Sequence, residues 1–168
     1  FDTICHEHLE YYSSKIIIEL TKKNDLRTFN IKSNDINGGS KRYFICHEKS
    51  NYKNNNEVKK ILKQETKFNL DKPKTFRSFF KLINYQKNKL IKLIEKIDAK
   101  GQSIHGCGAS TKGNVLLQYF NISNKQIKYI ADRNPQKYNT YTPGTKIKII
   151  SEKLSRKIHP DFYLVLPW

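Results

Sequence analysis

Apolar positions first recur at helical spacing at Ile16, Ile17 and Leu20. This predicts a helix capped by Ser13 or Ser14, running to about Lys23, with Asn24 near its end. From Leu26 to Ser33 the period changes to two, with Leu26, Thr28 or Phe29, and Ile31 alternating with polar residues, as in a half-buried strand. Asn37-Gly38-Gly39-Ser40 is a turn signal, and Tyr43–Cys46 reads as the returning strand. Residues 48–56 are polar and aperiodic and read as a linker. Two helices are expected next, one carrying Val58, Ile61 and Leu62. The other follows Pro73, carries Phe79, Leu82, Ile83, Leu90, Leu93, Ile94 and Ile97, and ends at Gly101. Beyond Gly101 short apolar runs alternate with longer segments: Ser103–His105, Ile127–Ala131, Lys146–Ile150 and Phe162–Leu166 as strands, and an apolar helix from Val115. Strands and helices in alternation predict an α/β fold with a parallel sheet.

Composition changes this picture little. The chain of 168 residues carries 32 Lys and Arg against 15 Asp and Glu, a formal net charge of +17. Such a charge raises a nucleic-acid reading. Yet 27 of the 32 basic residues are lysine, spread from Lys15 to Lys157, and Lys, Asn and Ile share A/T-rich codons. A biased genome accounts for the charge, so no nucleic-acid partner is expected, while an anionic small molecule fits the field. No apolar run approaches the roughly 20 residues of a membrane span, so no membrane role is expected. Three widely spaced cysteines, Cys5, Cys46 and Cys107, point to reduced thiols and a cytoplasmic setting. A start at Phe1 and the lack of any Met suggest a segment of a longer chain.

Two constellations bear on chemistry. The first is Gly106-Cys107-Gly108-Ala109-Ser110-Thr111-Lys112-Gly113-Asn114, between a strand and a helix. Such a loop turns backbone amides and a helix start toward an anion. The dinucleotide pattern is incomplete, because Thr111 stands at the third glycine position and the next glycine is Gly113. Asp132 ends the following strand, where a carboxylate would meet a ribose hydroxyl. A tight turn that needs glycine for packing alone remains open. The second constellation is Cys5-His6-Glu7-His8. Imidazoles beside a carboxylate suit general acid–base work. A zinc site recruiting Cys46 and His47 is disfavoured by the adjacent Cys-His spacing, and a surface cluster without a role is the third reading.

Together these stretches resemble the S-adenosylmethionine-dependent C-methyltransferases of nucleotide-linked deoxysugars. Phe1–Ser13 resembles that family's Phe-Asp-Thr-Ile-Tyr-His-Glu-His segment, and Gly38-Gly39-Ser40 its Gly-Gly-Ser. Gly106–Asn114 resembles its glycine loop. Ala131–Pro135, Tyr141–Thr145 and Asp161–Trp168 follow in the family's order. The resemblance implies that residues 1–48 end a class I methyltransferase domain with its terminal helix and strand pair. Residues 49–100 would be a linker and helical segment, and 101–168 a Rossmann-like part that binds a nucleotide sugar. It further implies that the zinc cysteines and most of the S-adenosylmethionine site lie in an N-terminal region outside this segment, which has no metal ligands of its own. Oligomeric state is left open.

By the same resemblance, the reaction begins with proton removal beside the ketone of a 4-keto deoxysugar, and the enolate carbon then takes the methyl group. His8 is the expected base, Glu7 its polar partner, and Cys5 the third catalytic position. Gly106, Gly108, Ser110, Thr111, Lys112, Asn114 and Asp132 are the expected substrate-binding residues. Cys5 stands where the family has Tyr, and a thiol is the weaker donor to an enolate oxygen. Asn37 stands where the family often has His. A non-catalytic module that binds a nucleotide sugar is the alternative.

Overall fold

The computed structural model describes residues 2–5 and 7–166. Phe1, His6, Pro167 and Trp168, which belong to the first and last of the motifs above, lie outside the described residues, as does the side chain of Asn37. The chain divides into two compact units. One takes the described residues through Leu9 and those from Lys81 onward; the other is Glu10–Phe80. This grouping differs from a division at residues 48 and 100.

The second unit is built on a hairpin. Helix α1 (Ser14–Lys22) is capped by Ser13, whose hydroxyl accepts from the Ile16 amide. Strands β1 (Leu26–Asn34) and β2 (Ser40–His47) pair antiparallel through a short turn of 3₁₀ helix at Ile36–Gly38. The register slips between Thr28 and Asn30, so the buried side chains are Thr28 and Ile31, three apart. That bulge explains why strict alternation could not decide between Thr28 and Phe29. Helix α2 (Asn56–Lys67) buries Ile61 and Glu65. The Glu65 carboxylate accepts from the Ser14 and Lys15 amides at 2.9 and 3.2 Å and from Lys41 at 2.7 Å. An anion at the first turn of α1 meets that helix's free amides and dipole. Burial pushes the Glu65 carboxyl up, but the Lys41, Ser14 and Lys15 donors outweigh it and hold it below the usual range.

Residues 48–55 are not a free linker. Arg27 donates to the carbonyls of Glu48, Ser50 and Tyr52 and to Asn54 Oδ1, between 2.6 and 3.2 Å. Phe29 and Tyr52 stack at 4.8 Å. One guanidinium therefore fastens the whole stretch to β1. Nothing local in a polar run announces such a long-range partner.

The first unit holds a four-stranded parallel sheet in the order β5-β4-β3-β6. Its strands are β3 (Ile104–Cys107), β4 (Tyr129–Asp132), β5 (Lys148–Ser151) and β6 (Phe162–Val165). This is a Rossmann-like α/β fold. Strand order reverses between β3 and β6, the place where such sheets open a crevice at their carboxyl ends. Alternation along β3 sends Ile104 and Gly106 to one face and His105 to the other. The first face is covered by helix α4 (Thr111–Phe120) and by α3 (Pro73–Asp98) from Lys81 onward, giving a core of Ile83, Ile94, Ile97, Ile104, Leu117, Phe120, Ile130 and Leu166. Each fully buried side chain there contributes about 1.5–3 kcal/mol. Leu82 and Leu93, grouped with that stripe by periodicity, are instead exposed.

The other face carries helix α5 (Glu152–Ile158). Its Ser155 is fully buried and meets His105 Nδ1 at 2.8 Å and the Tyr163 hydroxyl at 3.0 Å. Helix α4 begins at Thr111, not at Val115, because Ser110 caps it by accepting from the Gly113 amide at 2.9 Å. Helix α5 carries no apolar stripe long enough to announce itself. No helix among the described residues is long and apolar enough to cross a membrane.

Candidate functional site

The glycine loop is shaped by three separate requirements. Gly108 has φ +84°, a left-handed conformation that glycine adopts at no steric cost, and its amide donates to the Ala131 carbonyl at 2.7 Å. At Gly106 and Gly113 the demand is close approach. A Cβ on Gly106 would lie 2.7 Å from Ile130 Cγ1, and one on Gly113 would lie 2.8 Å from Leu166 Cβ. Gly113 thus does what the third glycine of a dinucleotide loop does, letting a helix sit close to a strand, two positions later than the pattern places it.

Asp132 locks this loop from the neighbouring strand. Its Oδ2 accepts from the Ala109 amide at 2.8 Å and from Lys137 Nζ at 3.3 Å, and its Oδ1 accepts from the Asn134 amide at 2.8 Å. Lys137 also donates to the Ala109 carbonyl at 2.8 Å. Burial pushes the Asp132 carboxyl up, yet the Asn134 and Ala109 amides and the Lys137 ammonium outweigh it and keep it below the usual aspartate range. Both carboxylate oxygens are therefore engaged by protein donors.

At the start of α4 the Gly113 amide is taken by Ser110 Oγ and the Asn114 amide by the Ser110 carbonyl. The two amides before them, of Thr111 and Lys112, are the first of the helix, which has no carbonyl to offer them. They remain available to an outside acceptor. Thr111 is exposed, while Lys112 and Asn114 are half-buried.

The amino-terminal segment lies in the same unit. Asp2 Oδ2 is 4.0 Å from Lys112 Nζ, which places the segment beside the first turn of α4. The His8 amide donates to the Cys5 carbonyl at 3.0 Å and closes a turn. His8 Nδ1 lies 2.8 Å from the Thr3 carbonyl oxygen. A carbonyl only accepts, so Nδ1 carries the hydrogen. In neutral imidazole Nε2 then holds the lone pair. His8 and Glu7 are exposed and Cys5 is half-buried. The structure thus gathers Cys5, Glu7 and His8 into one turn and Gly106, Gly108, Ser110, Thr111, Lys112, Asn114 and Asp132 into one loop and its support. No three His, Cys, Asp or Glu side chains form a metal set among the described residues.

Sequence reasoning missed Lys137, which braces the loop, and the Thr3 carbonyl, which orients His8. Backbone acceptors leave no mark in a sequence. Lys137 follows Asp132 by five residues, and that spacing has no motif of its own.

The profile described as C-methyltransferase C-terminal domain matches residues 35–168. The chain is also 29% identical over all 168 residues to C-methyltransferase NovU of Streptomyces niveus, of which it spans 40% of the length.

Proposed function

The chain belongs to the C-methyltransferase C-terminal domain family, and we propose that it supplies the proton-abstracting segment and the phosphate-facing loop of an enzyme that C-methylates a nucleotide-linked 4-keto deoxysugar. The observation that carries this reading is the 2.8 Å contact between His8 Nδ1 and the Thr3 carbonyl. It fixes the tautomer, with the hydrogen on Nδ1 and the lone pair on Nε2.

Nε2 takes the proton from the carbon beside the ketone, and the C–H electrons pass into the enolate. The imidazolium so formed keeps its Nδ1–H bond to Thr3, which strengthens as the ring charges. Glu7 meets the sugar, and Cys5 faces the enolate oxygen with a weak S–H donor. The amides of Thr111 and Lys112, with the Lys112 ammonium, receive the substrate phosphates, in a turn formed by Gly106, Gly108, Ser110 and Asn114. Lys112 exchanges its 4.0 Å contact with Asp2 for the phosphates. Asp132 acts on the substrate indirectly, by holding the loop.

S-adenosylmethionine, when bound, would supply the methyl group. Most of its site belongs to the N-terminal region that the resemblance places outside this segment. Asp132, at the end of β4, already accepts from three protein donors that brace the loop, and the chemistry assigned to this chain is formation of the enolate.

The test is methyl transfer by a full-length enzyme carrying this chain, with a nucleotide 4-ketosugar and labelled methyl donor. General-base catalysis contributes about 10²–10⁴-fold, so His8→Gln loses that much turnover while nucleotide-sugar binding persists. Wild-type turnover in His8→Gln refutes the assignment. Binding without any transfer by the unmodified enzyme favours a non-catalytic module, the reading to which Cys5 in place of Tyr lends weight.

A further inference from the structure

On the face of the sheet opposite α4, the carboxyl ends of β3, β4 and β6 frame a cavity of about 320 Å³. Its wall includes Cys107, Arg133, Glu152, Arg156, Tyr163 and Val165. Cys107 and Val165 sit side by side on β3 and β6, so the cavity opens at the point where strand order reverses. Ligands of open α/β sheets bind at that point. Cys107 is the second residue of the glycine loop, but its place on β3 puts it on the face of His105, away from α4.

Two guanidiniums converge here on one carboxylate. Arg133 Nε donates to Glu152 Oε1 at 2.9 Å and Arg156 Nη2 to Oε2 at 3.3 Å. Two cations and one anion leave a net positive charge, and each guanidinium retains most of its five donors. Glu152 holds the two forks side by side while consuming one donor from each. The Tyr163 hydroxyl is fixed at the wall through Ser155, which also holds the buried His105.

The choice of arginine is informative. Of the 32 basic residues 27 are lysine, which leaves five arginines. One of those five, Arg27, binds four acceptors that no ammonium could span. Two more meet at this cavity. A guanidinium offers a fork of donors that matches the oxygens of a phosphoryl group.

We propose that this cavity is a second anion site, which grips a phosphoryl group of a small molecule between Arg133 and Arg156. The group belongs either to a nucleoside diphosphate or to free pyrophosphate. The proposal is independent of the role of His8, which no part of it uses.

Cys107 is a built-in reporter, because it lines the cavity. The experiment measures its alkylation rate by mass spectrometry on the full 168-residue chain, with Cys46 as an internal control. Inorganic pyrophosphate is titrated first and uridine diphosphate second, with affinity read from the concentration that half-protects Cys107. Pyrophosphate is expected to slow Cys107 alkylation and leave Cys46 unchanged. Arg133→Gln and Arg156→Gln are each expected to weaken binding by about tenfold or more, the loss of a charge-assisted hydrogen-bond pair. The double Lys variant keeps the charge but loses the fork, and weakens binding as well. Lys112→Gln, which weakens anion binding at the glycine loop, leaves the pyrophosphate concentration that half-protects Cys107 unchanged. Stronger protection by the diphosphate assigns the site to a nucleotide, and equal protection assigns it to the phosphoryl group alone; both support the site. No protection of Cys107, protection that survives the double Gln variant, or protection lost in Lys112→Gln overturns it. Each of those results leaves the His8 reading standing.

Discussion

Asp132→Asn replaces the brace of the glycine loop with a near-isostere. An asparagine oxygen can still serve one of the two amides, of Ala109 or Asn134. The other then faces an NH₂ group, and Lys137 loses its charged acceptor but keeps the Ala109 carbonyl at 2.8 Å. A hydrogen bond to a charged group contributes about 1.5–3 kcal/mol. Asp132 is only 9% exposed, so water repairs little of the loss. One lost amide bond and one weakened ammonium contact give a destabilisation of about 2–4 kcal/mol. For a chain of this size that lowers Tm by roughly 5–15 °C. Urea unfolding followed by circular dichroism measures it as a lower midpoint at unchanged slope. Hydrogen exchange localises it, with the Ala109 amide exchanging faster.

The pH dependence of that difference has a fixed sign. The folded Asp132 carboxyl lies below its ordinary value of 3.8, so its stabilisation is fully present above about pH 4 and is lost as pH falls through the folded value. The wild-type and Asp132→Asn curves therefore converge in acid. An Asp132→Asn chain within about 0.5 kcal/mol of wild type at pH 7, with Ala109 exchange unchanged, refutes the brace.

Two further outcomes follow from the same sheet. Burial, and secondarily Lys128, lower the His105 pKa from 6.5. The unfolded chain then binds the proton more tightly, so stability falls as pH drops through about 6.5 toward the folded value, and His105→Gln flattens that part of an unfolding-versus-pH profile. Gly113→Ala sets helix propensity, a gain of about 1 kcal/mol, against a Cβ placed 2.8 Å from Leu166 Cβ. Overpacking of this kind costs about 1–3 kcal/mol, so thermal unfolding shows a net loss, whereas a more stable Gly113→Ala chain contradicts the close approach.

Much of this architecture was legible because it is periodic. Ile83, Leu90, Ile94 and Ile97 announce α3, and the apolar runs around Ile104, Ile130, Ile149 and Leu164 announce the parallel strands. What escaped depends on partners distant in sequence or on backbone atoms. Helix α5 has only Leu154 and Ile158 as apolar positions, and both are about half exposed; its place is set by Ser151 capping the Leu154 amide and by buried Ser155. The start of α4 was set four residues late because Thr111–Asn114 read as loop composition, while the Ser110 cap decides the matter. The motifs could be read in the sequence, but how their residues hold one another could not. Nothing in the sequence announces the three donors that Asp132 meets, and Arg133 and Arg156 lie 23 residues apart with nothing in the sequence to join them.

The proposed removal of a proton by His8 Nε2 from the carbon next to a ketone comes before and apart from methyl transfer. Deuterium exchange at that carbon isolates the step. A full-length enzyme carrying this chain is incubated in D₂O with a nucleotide 4-ketosugar and no methyl donor, and wash-in is followed by NMR. The wild type is expected to exchange, and His8→Gln to lose about 10²-fold or more of that rate. Exchange in His8→Gln at the wild-type rate would contradict it.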